Sequence, residues 1–158
     1  MLSFSDMLDL TARRLETPPP APGPEGDFAF ELADGFRLLL REWPGGDGGL
    51  AWTEAVPPAA GGAAEAEERA AKFLRLRLAR LRRSASLTAA RNRDGGLILH
   101  MRLKPETESE CLEGLSRLLN EAEALRRLLD AGGAAPSAPS GGAFGLFSGR
   151  GGMLSGRR

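Results

Sequence analysis

The sequence predicts an α+β fold in the element order α-βββ-α-ββ-α, with one mainly antiparallel, twisted sheet packed by helices. Three observations support this prediction. Two segments alternate apolar and polar residues on either side of an Asp-Gly turn, which is typical of β-hairpins. Three other segments repeat apolar residues at helical spacing. The segments do not alternate strand, helix, strand, so a doubly wound parallel sheet has little support.

The first segment, "SFSDMLDLTARRLE", predicts a helix. Ser3 or Ser5 can cap its start, Asp6 lies in the first turn, and two arginines near its end match the helix dipole. The sequence "TPPPAPGPEG" follows, and proline cannot continue a helix interior. Residues 17–26 are therefore predicted to be an extended linker.

The segment "FAFELADGFRLLLREW" predicts the first hairpin, with a two-residue turn at Asp34 and Gly35. Apolar residues on both sides of the turn alternate with polar ones, which gives the hairpin one apolar face. After the turn "PGGDGG", the segment "LAWTEAV" predicts a third strand, and "PPAAGG" ends this meander.

Residues 63–83 predict a second helix, with acidic residues first and basic residues last. Its apolar residues cover more than one stripe, so it is expected to be buried on more than one side, in its own core or against another copy. A second hairpin follows, with a short strand around residues 87–91, a turn at Asp94 and Gly95, and a longer strand. On that longer strand His100 faces away from the apolar stripe. Residues 106–130 predict a final leucine-rich helix.

The 158 residues include 21 basic and 21 acidic side chains. We expect one α+β domain over residues 1–130, with the 17–26 linker inside it, and a disordered Gly/Ala/Ser/Pro-rich tail over residues 131–158. The balanced charge gives no electrostatic reason to expect nucleic acid or an anionic membrane as partner. We also expect no membrane insertion and no secretory signal peptide.

Few residues could carry chemistry. His100 and Cys111 are the only histidine and cysteine, so no internal disulfide can form and a metal site is not expected. A thiolate could be favoured at Cys111, near the start of the final helix. A His100–Cys111 dyad is the one nucleophilic arrangement available, and two unrelated residues are the favoured interpretation. We expect no catalytic residue, no metal and no cofactor.

The chain resembles the class I type III secretion chaperones (Tir-chaperone-like proteins) over about residues 3–129. The resemblance is based on the element order, on "FELADGFRLLL" as first hairpin, and on "DGGLILHMRL" before a long leucine-rich helix. It implies a non-enzymatic, homodimeric protein of the bacterial cytoplasm. Such a protein binds the N-terminal segment of a secreted effector and keeps it soluble and competent for export.

The resemblance also implies two sets of site residues. The dimer interface would involve the second helix and the nearby strand edge, which here means Phe73, Leu74, Leu78, Leu81 and Leu87. The effector segment would contact apolar patches on the first helix and the sheet, which here means Phe4, Leu8, Phe28, Phe30 and Leu38. Large apolar side chains are usually buried, so for any single member of the second set a place in the core is the favoured interpretation.

Two alternatives remain at the level of sequence. A bacterial regulatory module of the same fold would bind another folded protein. A small hydrolase or transferase would use Cys111 or His100, and this is the least favoured alternative.

Overall fold

A computed structural model describes residues 1–83 and 85–132. The predicted element order α-βββ-α-ββ-α is confirmed, and the predicted tail lies outside the described residues from residue 133 onward. The helices and strands are α1 (Phe4–Leu15), β1 (Asp27–Glu31), β2 (Arg37–Glu42), β3 (Gly49–Val56), α2 (Ala63–Ala79), β4 (Thr88–Arg91), β5 (Leu97–Leu103) and α3 (Glu108–Asp130).

The five strands form one sheet in the order β1-β2-β3-β5-β4, and every neighbouring pair is antiparallel. Leu38 in β2 lies between Phe30 in β1 and Thr53 in β3, and Leu99 in β5 continues this row. These four residues are buried, whereas their neighbours along each strand are partly exposed. The alternation along this row defines an inner and an outer face of the sheet.

The three helices pack on the inner face. Helix α3 crosses β3 and β5, and α1 and α2 pack against α3. The ring of Phe4 in α1 lies 5.7 Å from that of Phe28 in β1, and α3 places Arg126 where its Nε donates to the Ala55 carbonyl oxygen at 2.7 Å. The core therefore lies between the inner sheet face and the helices, and no described helix covers the outer face.

Helix α1 begins with a complete capping box. The Ser3 hydroxyl accepts from the Asp6 backbone N–H at 3.1 Å, and the Asp6 carboxylate accepts from the Ser3 N–H at 3.0 Å. Hydrogen bonds from the side chain and backbone of Ser3 lower the pKa of Asp6. Ser3, rather than Ser5, is the N-cap residue.

The first hairpin turn differs from the two-residue prediction. The loop spans residues 32–36, contains a 3₁₀ turn over Ala33–Gly35, and is closed by a hydrogen bond from Leu32 N–H to the Phe36 carbonyl oxygen at 2.8 Å. A two-residue hairpin has only its two turn residues between the paired strands, whereas five residues separate β1 from β2, with Gly35 at a φ of +71°. The longer loop also buries Phe36, whose ring contacts Arg126.

Helix α2 is shorter than predicted. It ends at Ala79 and is followed by a 3₁₀ turn over Leu81–Arg83. The side chain of Arg77 is buried and its Nη2 donates to the Leu87 carbonyl oxygen at 2.5 Å. This hydrogen bond holds α2 against the segment that leads into β4. The chain turns away from the helix axis there and enters the sheet.

Candidate functional site

The two residues that could have formed a nucleophilic dyad lie on opposite sides of the sheet. His100 is half-buried on the outer face opposite Trp52, and burial lowers its pKa. Cys111 is fully buried on α3, on the helix side. Burial, and then the charge of Glu108, raise the pKa of Cys111 to about 11, so the predicted favoured thiolate is wrong.

The part of the chain that the structure describes shows neither a metal-binding cluster nor a membrane-spanning helix. Residues 1–83 and 85–132 contain no group of three His, Cys, Asp or Glu side chains placed to hold a metal ion. The glycine-rich "PGGDGG" segment joins β2 to β3, as expected for a turn. None of the described helices combines the length and apolar content needed to cross a bilayer.

The five residues predicted to bind a client lie mostly in the core. Phe4, Leu8, Phe30 and Leu38 are buried, and Phe28 is half-buried. Client binding at these positions stays a prediction. Only Phe28 offers appreciable surface before any rearrangement of the chain.

The five residues predicted to form a dimer interface divide into two groups. Phe73 and Leu87 are buried within the chain. Leu74, Leu78 and Leu81 are 49%, 65% and 40% exposed, and their spacing of four and three residues places them on one side of α2 and of the turn that follows it. We call these three residues the α2 leucine patch. Large apolar side chains with this exposure favour a protein-contact surface.

The outer sheet face is a second surface with apolar character, and sequence analysis did not single it out. Leu39, Leu50, Trp52 and Ile98 all lie on it, each half-buried. Leu39 is opposite Trp52, and Trp52 is opposite His100. The signal was present in the sequence, because these large apolar residues occupy the strand positions where a solvated face would carry polar side chains.

One end of the outer sheet face contains a cavity of about 260 Å³, which we call the outer pocket. Its lining combines apolar walls with charged and amide groups: Gly35, Arg37, Leu39, Trp52, Glu54, Asn92, Asp94 and Ile98. The Asn92 amide donates to a Glu54 carboxylate oxygen at 2.9 Å. A larger cavity of about 590 Å³ lies beside α1, with Asp9 and Glu16 among its lining residues.

Comparison with solved structures identifies several similar chains, among them the following three. One belongs to the ExsC–ExsE complex, with 21% identity, coverage of 78% of this chain and 90% of that chain, and a TM-score of 0.56. Another belongs to the HopA1–SchA chaperone–effector complex, with 16% identity, coverage of 78% and 93%, and a TM-score of 0.56. The third belongs to the complex of the Yersinia pestis type III secretion chaperone SycH with a stable fragment of YscM2, with 18% identity, coverage of 77% and 98%, and a TM-score of 0.53.

No protein-family model matches the sequence, and the comparison with curated proteins finds no significant match. The similarity to the three structures is therefore one of fold. The chain has the α+β fold of type III secretion chaperones, and the predicted fold class is confirmed.

Proposed function

We propose that this chain is a type III secretion chaperone that binds the N-terminal segment of a secreted effector and keeps it soluble and export-competent. The observation that carries the proposal is a fold shared, over more than three quarters of the chain, with proteins solved in complex with a partner. Such a chaperone would act in the bacterial cytoplasm, before its client is exported.

A binding role also fits the chemistry of the surfaces. His100 and Cys111 are separated by the sheet, and Cys111 is buried with a raised pKa, so neither supports the alternative of a small enzyme. The α2 leucine patch and the outer sheet face instead present apolar surface. An extended client segment loses conformational entropy on binding, and a large wrapped apolar surface offsets that loss.

We assign the α2 leucine patch to a homodimer interface. Its three leucines are roughly half exposed, so burying them contributes about 3 kcal/mol per chain and about 6 kcal/mol per dimer. The loss of translational and rotational freedom on association costs about 4–15 kcal/mol. We therefore expect the interface to extend beyond the three leucines. We also expect that loss of one leucine shifts the monomer–dimer equilibrium strongly toward the monomer.

The first test is the mass of the purified chain by light scattering. The proposal predicts a dimer for the unmodified chain and a monomer for Leu78→Glu, because the substitution places a charge in the centre of the patch. Ala64→Glu is the matched control, since it adds the same charge at an exposed position near the start of α2 and should leave the dimer intact. A monomeric unmodified chain would contradict the assigned interface.

The second test is co-expression with candidate secreted proteins, including those encoded by neighbouring genes. The expected result is a soluble complex with two chaperone chains per client, lost when the N-terminal segment of the client is deleted. Clients that remain soluble without this chain, or that bind only through their folded domains, would contradict the chaperone role and favour a regulatory module of the same fold.

A further inference from the structure

The outer pocket combines apolar walls with two carboxylates. Leu39, Trp52 and Ile98 supply the walls, and Glu54 and Asp94 supply the carboxylates. Glu54 accepts a hydrogen bond from Asn92, and within residues 1–83 and 85–132 neither carboxylate forms a salt bridge. A side chain that fits this lining needs an apolar stem and a polar, positively charged end.

The charge of the neighbouring groups supports the same conclusion. Arg37 also lines the outer pocket, and its Nε lies 2.8 Å from a carboxylate oxygen of Glu31. Arg41, which lies against Trp52, is likewise paired with Glu25 at 3.0 Å. Each of these two arginines thus has its own glutamate, and the negative charges of Glu54 and Asp94 remain in excess. The indole of Trp52 already accepts one cation, since the guanidinium carbon of Arg41 lies 5.3 Å from the ring centre.

We propose that the outer pocket binds an arginine or lysine side chain of the client segment, with arginine preferred. The proposal rests on the chaperone function proposed above. The methylene stem would pack between Leu39 and Ile98, and the charged end would reach Glu54 and Asp94. Arginine is preferred because its planar guanidinium stacks on an indole and forms two parallel hydrogen bonds to carboxylates.

A short synthetic peptide tests the pocket directly. The probe is an acetylated and amidated peptide with Leu-Arg-Leu in a Gly-Ser background, and its matched control carries neutral citrulline in place of arginine. Binding is followed by NMR through the indole N–H signals of the two tryptophans. Trp43 follows the last residue of β2 and lies four residues from Leu39, about 13 Å away, so it serves as an internal control.

The expected result is a saturable shift of the Trp52 signal with the arginine peptide and little change at Trp43. The citrulline peptide should bind with an affinity at least about tenfold lower. The double variant Glu54→Gln/Asp94→Asn should weaken peptide binding by at least tenfold. Asp9→Asn/Glu16→Gln removes the same charge from the cavity beside α1 and should leave binding unchanged. Equal weakening by both variants would overturn the pocket and indicate a general charge effect.

Failure of this proposal can be told apart from failure of the chaperone function. A chain that captures a co-expressed client, but whose Trp52 signal does not respond to arginine peptides, would overturn the pocket assignment and leave the chaperone proposal standing. A chain that takes the peptide as expected but holds no secreted protein would support the pocket as a basic-peptide site and contradict the chaperone role.

Discussion

The salt bridge between Arg80 and Glu121 should stabilise the packing of α2 against α3. Arg80 Nε and Nη2 donate to the two carboxylate oxygens of Glu121 at 2.8 and 2.9 Å. The Glu121 side chain is only 6% exposed and that of Arg80 is 23% exposed. The hydrogen bond that Arg80 donates to Glu121 raises the pKa of Arg80. Arg80→Ala would leave the Glu121 carboxylate buried between the two helices without the two hydrogen bonds that Arg80 donates.

The loss of stability expected for Arg80→Ala follows from the burial of this ion pair. Loss of one partner of a buried ion pair costs about 3–5 kcal/mol, and the partial exposure of Arg80 lets water reach the site, so we expect about 2–3 kcal/mol for Arg80→Ala. The double variant Arg80→Ala/Glu121→Ala should lose less than the sum of the single variants, with a coupling energy of about 2 kcal/mol, because it removes both charges together.

The assay is urea unfolding of the four chains of this double-mutant cycle at one protein concentration. The matched control is the cycle for Arg13 and Glu108, which also joins two helices at 3.3 Å but has side chains 67% and 60% exposed. Its coupling energy should stay below about 1 kcal/mol. Equal coupling in the two cycles would refute the argument that burial determines the strength of the pair.

Three further predictions concern the interior. Gly48→Ala should lower the free energy of unfolding by more than about 2 kcal/mol, because φ is +105° and a Cβ would lie 2.1 Å from the Leu103 carbonyl oxygen. Gly46→Ala, at a φ of +75° and with Glu42 Oε1 as nearest neighbour at 4.0 Å, should cost only about 1 kcal/mol in the same urea assay. Thr53→Val should raise the free energy of unfolding by about 1 kcal/mol, because the buried Thr53 hydroxyl has no hydrogen-bond partner in the described part of the chain; a loss of stability would contradict this. Cys111 should react with a thiol reagent much more slowly in the folded chain than in urea at pH 8, and equal reaction rates would contradict its burial. The folded pKa of Cys111, about 11, exceeds the ordinary value of 9.0. The contribution of this thiol to stability is therefore complete below pH 9 and is lost as the pH rises through 11.

Local patterns in the sequence predicted most of the secondary structure. The capping residues of α1, the alternation in β5 and the apolar stripe of α3 all act within a few residues of the chain, so their consequences can be read without the fold. The outward direction of His100 followed from the same alternation. The prediction of a two-residue first turn was wrong because a contact between Phe36 and Arg126, ninety residues apart, favours a longer loop.

The binding surfaces were only partly predictable. Phe73 and Leu74 are adjacent and equally apolar in the sequence, yet one is 1% and the other 49% exposed. The outer pocket likewise unites β2, β3 and the β4–β5 turn. Periodicity shows that a helix or strand has an apolar face, but burial depends on which distant elements pack against that face. The sequence alone therefore determined the elements and the fold class, whereas the tertiary structure decided which apolar and charged side chains remain available to a partner.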